Sequence, residues 1–227
     1  MSSLVPIWFD IDGTILHTRV GHVAFQHALR DIYGWEETME SVVFAGNTDL
    51  QVLMDLSKIH AGDPEAGLEK RHHFFARMAE YMDKGLLENK PDPVPGAVEL
   101  IERLVAESRA VLGLITGNAK DCAYMKLRHI DLDAHFLSGG FGDEHADRNE
   151  LALLARAQLE TDHHALAPGW IIGDTPRDVQ AALHIGARCL GVASGSYSEV
   201  QLMDAGASKV VEDLNSADEI MEWLLDA

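Results

Sequence analysis

The chain has 227 residues, of which 47% are apolar and 24% charged, with a formal net charge of −19. That is enough for one sizeable core, with or without a smaller inserted unit, and it excludes a disordered tail. The acidic balance without any basic run excludes a nucleic-acid partner, and no apolar run reaches the ~18 residues of a membrane span, so we expect a soluble, cytoplasmic protein.

In chain order, the apolar run LVPIWFDI, ending in a turn signal, predicts a buried strand. Asp10, Asp12, Gly13 and Thr14 follow at its end. From Gly21 to Leu87, HVAFQHALRDIYG, TDLQVLMDLSKIH and EAGLEKRHHFFARMAEYMDKGL have helical spacing, punctuated by Gly34 and AGDP. ENKPDPVPG carries three prolines and reads as a linker or stiff loop. Helix and strand patterns then alternate: AVELIERLVAESR, AVLGLIT, AKDCAYMKLRHI, FLSGGFG, RNELALLARAQLE, GWIIGD, TPRDVQAALHIG, RCLGVASG, SEVQLMDAG, SKVVED and SADEIMEWLL. Strands separated by single helices imply an α/β fold, a doubly wound, Rossmann-like parallel sheet with helices on both faces. Cys122 and Cys189 lack ligand spacing and read as buried, reduced thiols.

Polar residues gather where the strands end: Asp10 and Asp12, Thr116 with Gly117 and Asn118, Arg148, and Asp174 with Asp178. In a parallel sheet these ends converge on one crevice. Carboxylates meeting there need compensation, and a few of them with water and substrate oxygens suit Mg²⁺. Such an ion neutralises phosphate charge. A hydroxyl at Thr116, the backbone N–H groups of TGN at a helix start, and an arginine that never loses its charge all suit a phosphoryl group. Together these features predict phosphoryl transfer.

FDIDGT, LITGN, a basic residue before a helix, and IIGDTPRD resemble the four motifs of the haloacid-dehalogenase-like phosphohydrolases. The branch most similar is that of the phosphoglycolate phosphatases. That resemblance implies a helical cap at residues 16–88, inserted into a catalytic core formed by 1–15 and 89–227. It also implies hydrolysis of a small phosphomonoester, such as phosphoglycolate, a sugar phosphate or a nucleotide. Asp10 would be the nucleophile, forming an aspartyl-phosphate. Asp12 would protonate the leaving oxygen and then activate water. Thr116, Gly117, Asn118 and Arg148 would bind the phosphoryl group. Asp10, Asp174 and the Asp12 carbonyl would hold Mg²⁺, with Asp178 in support. The third motif departs from the pattern, since a lysine is usual there. Arg148 takes that place, with Lys120 and Lys126 as alternatives from a different segment.

Other positions have two readings. His17, near the entry to the helical block, is either a substrate contact or a solvated histidine. Asn47 and Thr48 in the AGNTD loop either reach the leaving group or cap a helix. The histidine pairs 72–73 and 163–164 lack ligand spacing. Phosphomutases of this kind carry an arginine in the AGNTD loop, where Asp49 stands here, which disfavours that activity. A dehalogenase or a phosphonate hydrolase would lack Asp12, although Lys58, Lys70 and Lys84 lie in the cap segment. A catalytically silent phosphate-binding module is the alternative from outside enzymology.

Overall fold

The structure, a computed structural model, describes residues 3–36, 41–162 and 166–226. Six strands form one parallel sheet: β1 (Val5–Phe9), β4 (Ala110–Thr116), β5 (Gly139–Phe141), β6 (Trp170–Gly173), β7 (Arg188–Val192) and β8 (Lys209–Val211), in the order β5-β4-β1-β6-β7-β8. The chain runs outward from β1 in both directions, so the order reverses beside β1. That reversal is where an open α/β sheet leaves a crevice at its carboxyl edge. Phe9 pairs with both Leu114 and Ile172, so the segments that follow emerge side by side at that edge.

The period-2 rule divides the sheet's side chains between two layers. Ile7, Phe9, Trp170, Ile172, Leu190 and Val192 face helices α4 (Ala97–Ala106), α5 (Lys120–Arg128) and α9 (Ala217–Leu225). Trp8, Ile171 and Cys189 face α6 (Arg148–Asp162), α7 (Pro176–His184) and α8 (Glu199–Asp204). Near-continuous apolar strands are what two covered faces require. Cys122 and Cys189 are both free and buried.

A third apolar cluster belongs to α1 (Val20–Tyr33), α2 (Asp49–Ala61) and α3 (Arg71–Glu88), built around Phe25, Phe74, Leu53 and Met82. It also takes in Ala119 and Cys122, so this helical unit packs directly on α5. The chain enters and leaves the unit through a small antiparallel pairing of β2 (Leu16–His17) with β3 (Asp92–Pro93). The proline-rich segment expected to be a linker or stiff loop therefore contains a two-residue strand. Two-residue strands have no periodicity to read, which is why the pattern does not reveal them. No described helix is long and apolar enough to cross a membrane.

Candidate active site

The turn after β1 builds the floor of the site. Ile11 O accepts from Ile15 N at 2.9 Å and Leu16 N at 3.1 Å, while Gly13 N donates to Leu16 O at 2.9 Å. Gly13 sits at φ +81°, and a side chain there would collide with the Asp174 carboxylate. Glycine thus permits both the turn and the close approach of β6's end. Ser194, in the loop after β7, donates to Gly13 O and ties that loop to the turn.

Asp10, Asp174 and Asp178 are all buried, and an oxygen from each lies within 4.8 Å of the others. Asp178 is committed to its surroundings. Its Oδ2 accepts from Thr175 N at 3.0 Å and Thr175 Oγ1 at 2.7 Å, forming the capping box of α7. Its Oδ1 lies 2.6 Å from Arg148 Nη2. The same nitrogen lies 3.0 Å from Asp10 Oδ1 and donates to Ile115 O at 3.0 Å. Arg148 is 4% exposed, at the first turn of α6, and its Nε finds no acceptor among the described residues.

One arginine against three buried acids leaves the charge uncompensated. Burial and mutual repulsion push the Asp174 carboxyl well above the usual carboxylate range, and burial raises Asp10 despite the opposing pull of Arg148. Asp174 Oδ1 is buried with no hydrogen-bond partner among the described residues. An orphaned buried acceptor beside a second acid, with oxygen donors alone, fits a hard divalent cation.

Asp12 lies on the other side of the turn and its side chain is 42% exposed. Lys126 Nζ donates to both of its oxygens, at 2.8 and 2.6 Å, and to Asn118 Oδ1 at 2.6 Å. Asn118 Nδ2 donates to Asp12 Oδ2 and to Thr116 Oγ1, both at 2.8 Å. Because Thr116 Oγ1 accepts these contacts, its own O–H proton is left for another acceptor.

The cleft above these groups has a volume of about 260 Å³ and is lined by Asp10, Asp12, Gly117, Asn118, Lys126, Arg148 and Asp174. His17, His22, Phe44, Asn47 and Met78 form its opposite wall. That size suits a small metabolite. His22 is half-buried against the Phe44 ring, with centroids 4.4 Å apart, and burial lowers its pKa. The loop before α2 is stitched to the sheet's edge. Asp49 N donates to Gly117 O, Leu50 N to Gly142 O, and Ala119 N to Asp49 Oδ2, at 2.7, 2.9 and 2.7 Å. A side chain at Gly117 would strike Asn47 O.

Asp10, Asp12, Gly117, Asn118, Arg148, Asp174, His17 and Asn47 therefore line one cleft, with Thr116 and Asp178 fully buried beneath it. Thr48 is placed differently. Its hydroxyl caps α2 by accepting from Gln51 N and donates to Ala146 O, so its polar group is used in packing. Lys120 lies over the Phe141 ring, whereas Lys126 reaches the cleft. Lys58, Lys70 and Lys84 are exposed, and none lines the cleft. His72 and His73 are solvated on α3, and the pair at 163–164 lies outside the described residues.

Lys126, named from the sequence only as an alternative for the third motif's basic residue, and His22, which motif reasoning passes over, both line the cleft. Lys126 had a signal: the buried positions of α5 are 122, 123, 126 and 127, and a lysine within that apolar stripe is anomalous. His22 on α1 had none, because its partner Phe44 is distant in sequence.

Residues 7–192 match the family model described as haloacid dehalogenase-like hydrolase. A curated protein of Pseudomonas aeruginosa named 5'-nucleotidase is 28% identical over 219 residues, covering 95% of each chain. A solved structure described as a hydrolase from Pseudomonas syringae superposes with TM-score 0.72 at 23% identity, over 97% of this chain and 99% of that one. Another, described as a predicted phosphoglycolate phosphatase from Haemophilus somnus, gives TM-score 0.69 at 20% identity, over 97% and 99%.

Proposed function

The chain belongs to the haloacid dehalogenase-like hydrolase family, and from that premise we propose that it is a Mg²⁺-dependent phosphatase acting on a small phosphomonoester through a phosphoryl group carried on Asp10. The observation that supports this most is the Asp10–Arg148–Asp174 cluster at the sheet's switch point, with one acid oxygen orphaned. Mg²⁺ held by Asp10, Asp174 and the Asp12 carbonyl would neutralise the charge between phosphate and nucleophile.

In this reading each of the chain's own groups has a role that its position supports. Asp10 attacks phosphorus and the leaving oxygen departs toward the cap side. Asp12, at the exposed edge of the turn, gives that oxygen a proton and then takes one from the attacking water. Arg148, Thr116, Asn118 and the amides at Gly117 receive the phosphoryl oxygens. Asp178 keeps Arg148 and the α7 terminus in register.

Residues 16–88 act as a cap over a core formed by 1–15 and 89–227. Their contribution is the wall of His17, His22, Phe44 and Asn47, which meets the leaving group and keeps bulk water out. A phosphomutase would need a cation in the loop before α2. That position holds Asp49, turned onto Ala119 N.

The P. aeruginosa relative's name puts nucleoside 5'-monophosphates first in a substrate panel. Sugar phosphates and phosphoglycolate follow. Phosphate release from at least one ester, abolished by chelator and restored by Mg²⁺, is expected. Full turnover in chelator would overturn the metal dependence. Tight binding of these esters without release would favour the silent module.

A further inference from the structure

We propose that Lys126 is a positioning residue for proton transfer: it fixes the Asp12 carboxylate at the leaving-group side of the cleft. This rests on the phosphatase reading above. Lys126 belongs to α5 and lies one turn beyond Cys122, on the face that packs against the helical unit. It is 2% exposed, so its ammonium has left water and must find its partners inside the protein. An ammonium has three N–H donors, and three acceptors are present: Asp12 Oδ1, Asp12 Oδ2 and Asn118 Oδ1.

Asp12 needs this more than Asp10 does. Asp10 is enclosed by the sheet's edge and Arg148, whereas the Asp12 side chain is 42% exposed and is otherwise held by one bond from Asn118 Nδ2. A carboxylate on a half-open edge samples several rotamers. Contact with both oxygens removes that freedom and sets the plane of the group. Asn118 is oriented by the same contacts, its oxygen toward Lys126 and its amide toward Asp12 and Thr116. One lysine thus locks the proton-transferring group to the phosphoryl-binding loop: when Asp12 carries its proton on Oδ1, Oδ2 keeps the contacts with Lys126 and Asn118, so the group holds the spacing that proton transfer to a leaving oxygen depends on. The helical unit closes the arrangement, since Gly21 and Met82 pack at the Lys126 end.

The test compares an unactivated alkyl phosphate with an aryl phosphate whose leaving group needs little protonation, both in saturating Mg²⁺. Lys126→Met should lose at least about tenfold more kcat on the alkyl ester than on the aryl ester, with KM changed by less than about threefold. Lys126→Arg, which keeps the buried charge, should recover part of that difference and carries the same comparison should the methionine variant fail to fold. In an Asp12→Ala background, Lys126→Met should add little further loss, because the two act as a unit.

Equal losses on both esters, or a loss confined to KM, would overturn the proposal and leave the phosphatase reading intact. The first result would make Lys126 a packing residue and the second a substrate contact. A wild type that releases phosphate from neither ester would overturn both.

Discussion

Asp10 and Asp12 leave the same turn two residues apart, and each meets a buried cation, yet their surroundings differ. The Asp10 side is sealed: its carboxylate is 7% exposed, and Arg148 is shared with Asp178 and a backbone carbonyl. The Asp12 side opens to the cleft and is steadied by Lys126 from a helix that also packs against the helical unit of α1–α3. The sealed half suits an attack that must exclude water. The open half suits proton exchange, first with a leaving group and then with water. The cations match these tasks, a rigid fork where several acceptors converge and a flexible ammonium where a single carboxylate is held.

The largest effect should come from the sealed half. Asp10→Asn is expected to lower kcat by at least about 10⁴-fold while the protein stays folded. In chelator its melting temperature should rise, since one buried like charge is gone. A lower melting temperature would mean that Asp10 is a structural partner of Arg148 first. Arg148→Met should cost about 3–5 kcal/mol of stability in chelator by leaving buried acids unpaired. A denaturant midpoint equal to wild type would break the claim that Arg148 holds the buried acids of this half. Asp12→Asn should cost about 10²–10⁴-fold, more on poor leaving groups than on good ones. A uniform loss would erase the distinction between the halves.

The smallest effect is one of pH, at the start of α2, where the helical unit is stitched to the sheet's edge. Burial pushes the Asp49 carboxyl up to about 7 from its ordinary 3.8. The folded protein therefore holds this proton more tightly than the unfolded chain does. The stabilisation is complete below pH 3.8, declines as pH rises, and is gone above about 7. Asp49→Asn can still accept from Ala119 N, so its melting temperature relative to wild type should rise across that window and level off above it. A constant difference would show that Asp49 is ionised throughout.

The two halves were unequally legible in the sequence. Asp10, Asp174, Asp178 and Arg148 follow strand ends, and an apolar strand with a polar residue at its end is a local pattern. The parallel order then brings them together by rule. Lys126 is mid-helix, and its place depends on which face of α5 meets the α1–α3 unit. Thr48 reads equally well as a cap or a contact until its neighbour Ala146, 98 residues on, is placed. The pairing of β2 with β3 was hidden for a similar reason, each strand being two residues long and β3 half proline.

The most direct test of the division between the halves is to quench the enzyme in acid during turnover with Mg²⁺ and weigh the peptide that contains Asp10 and Asp12. One phosphoryl group on Asp10, absent from Asp10→Asn and accumulating in Asp12→Asn where the attack by water is slowed, is the predicted result. Phosphate release at full rate with no phosphorylated peptide, or with the group on any other residue, would contradict it.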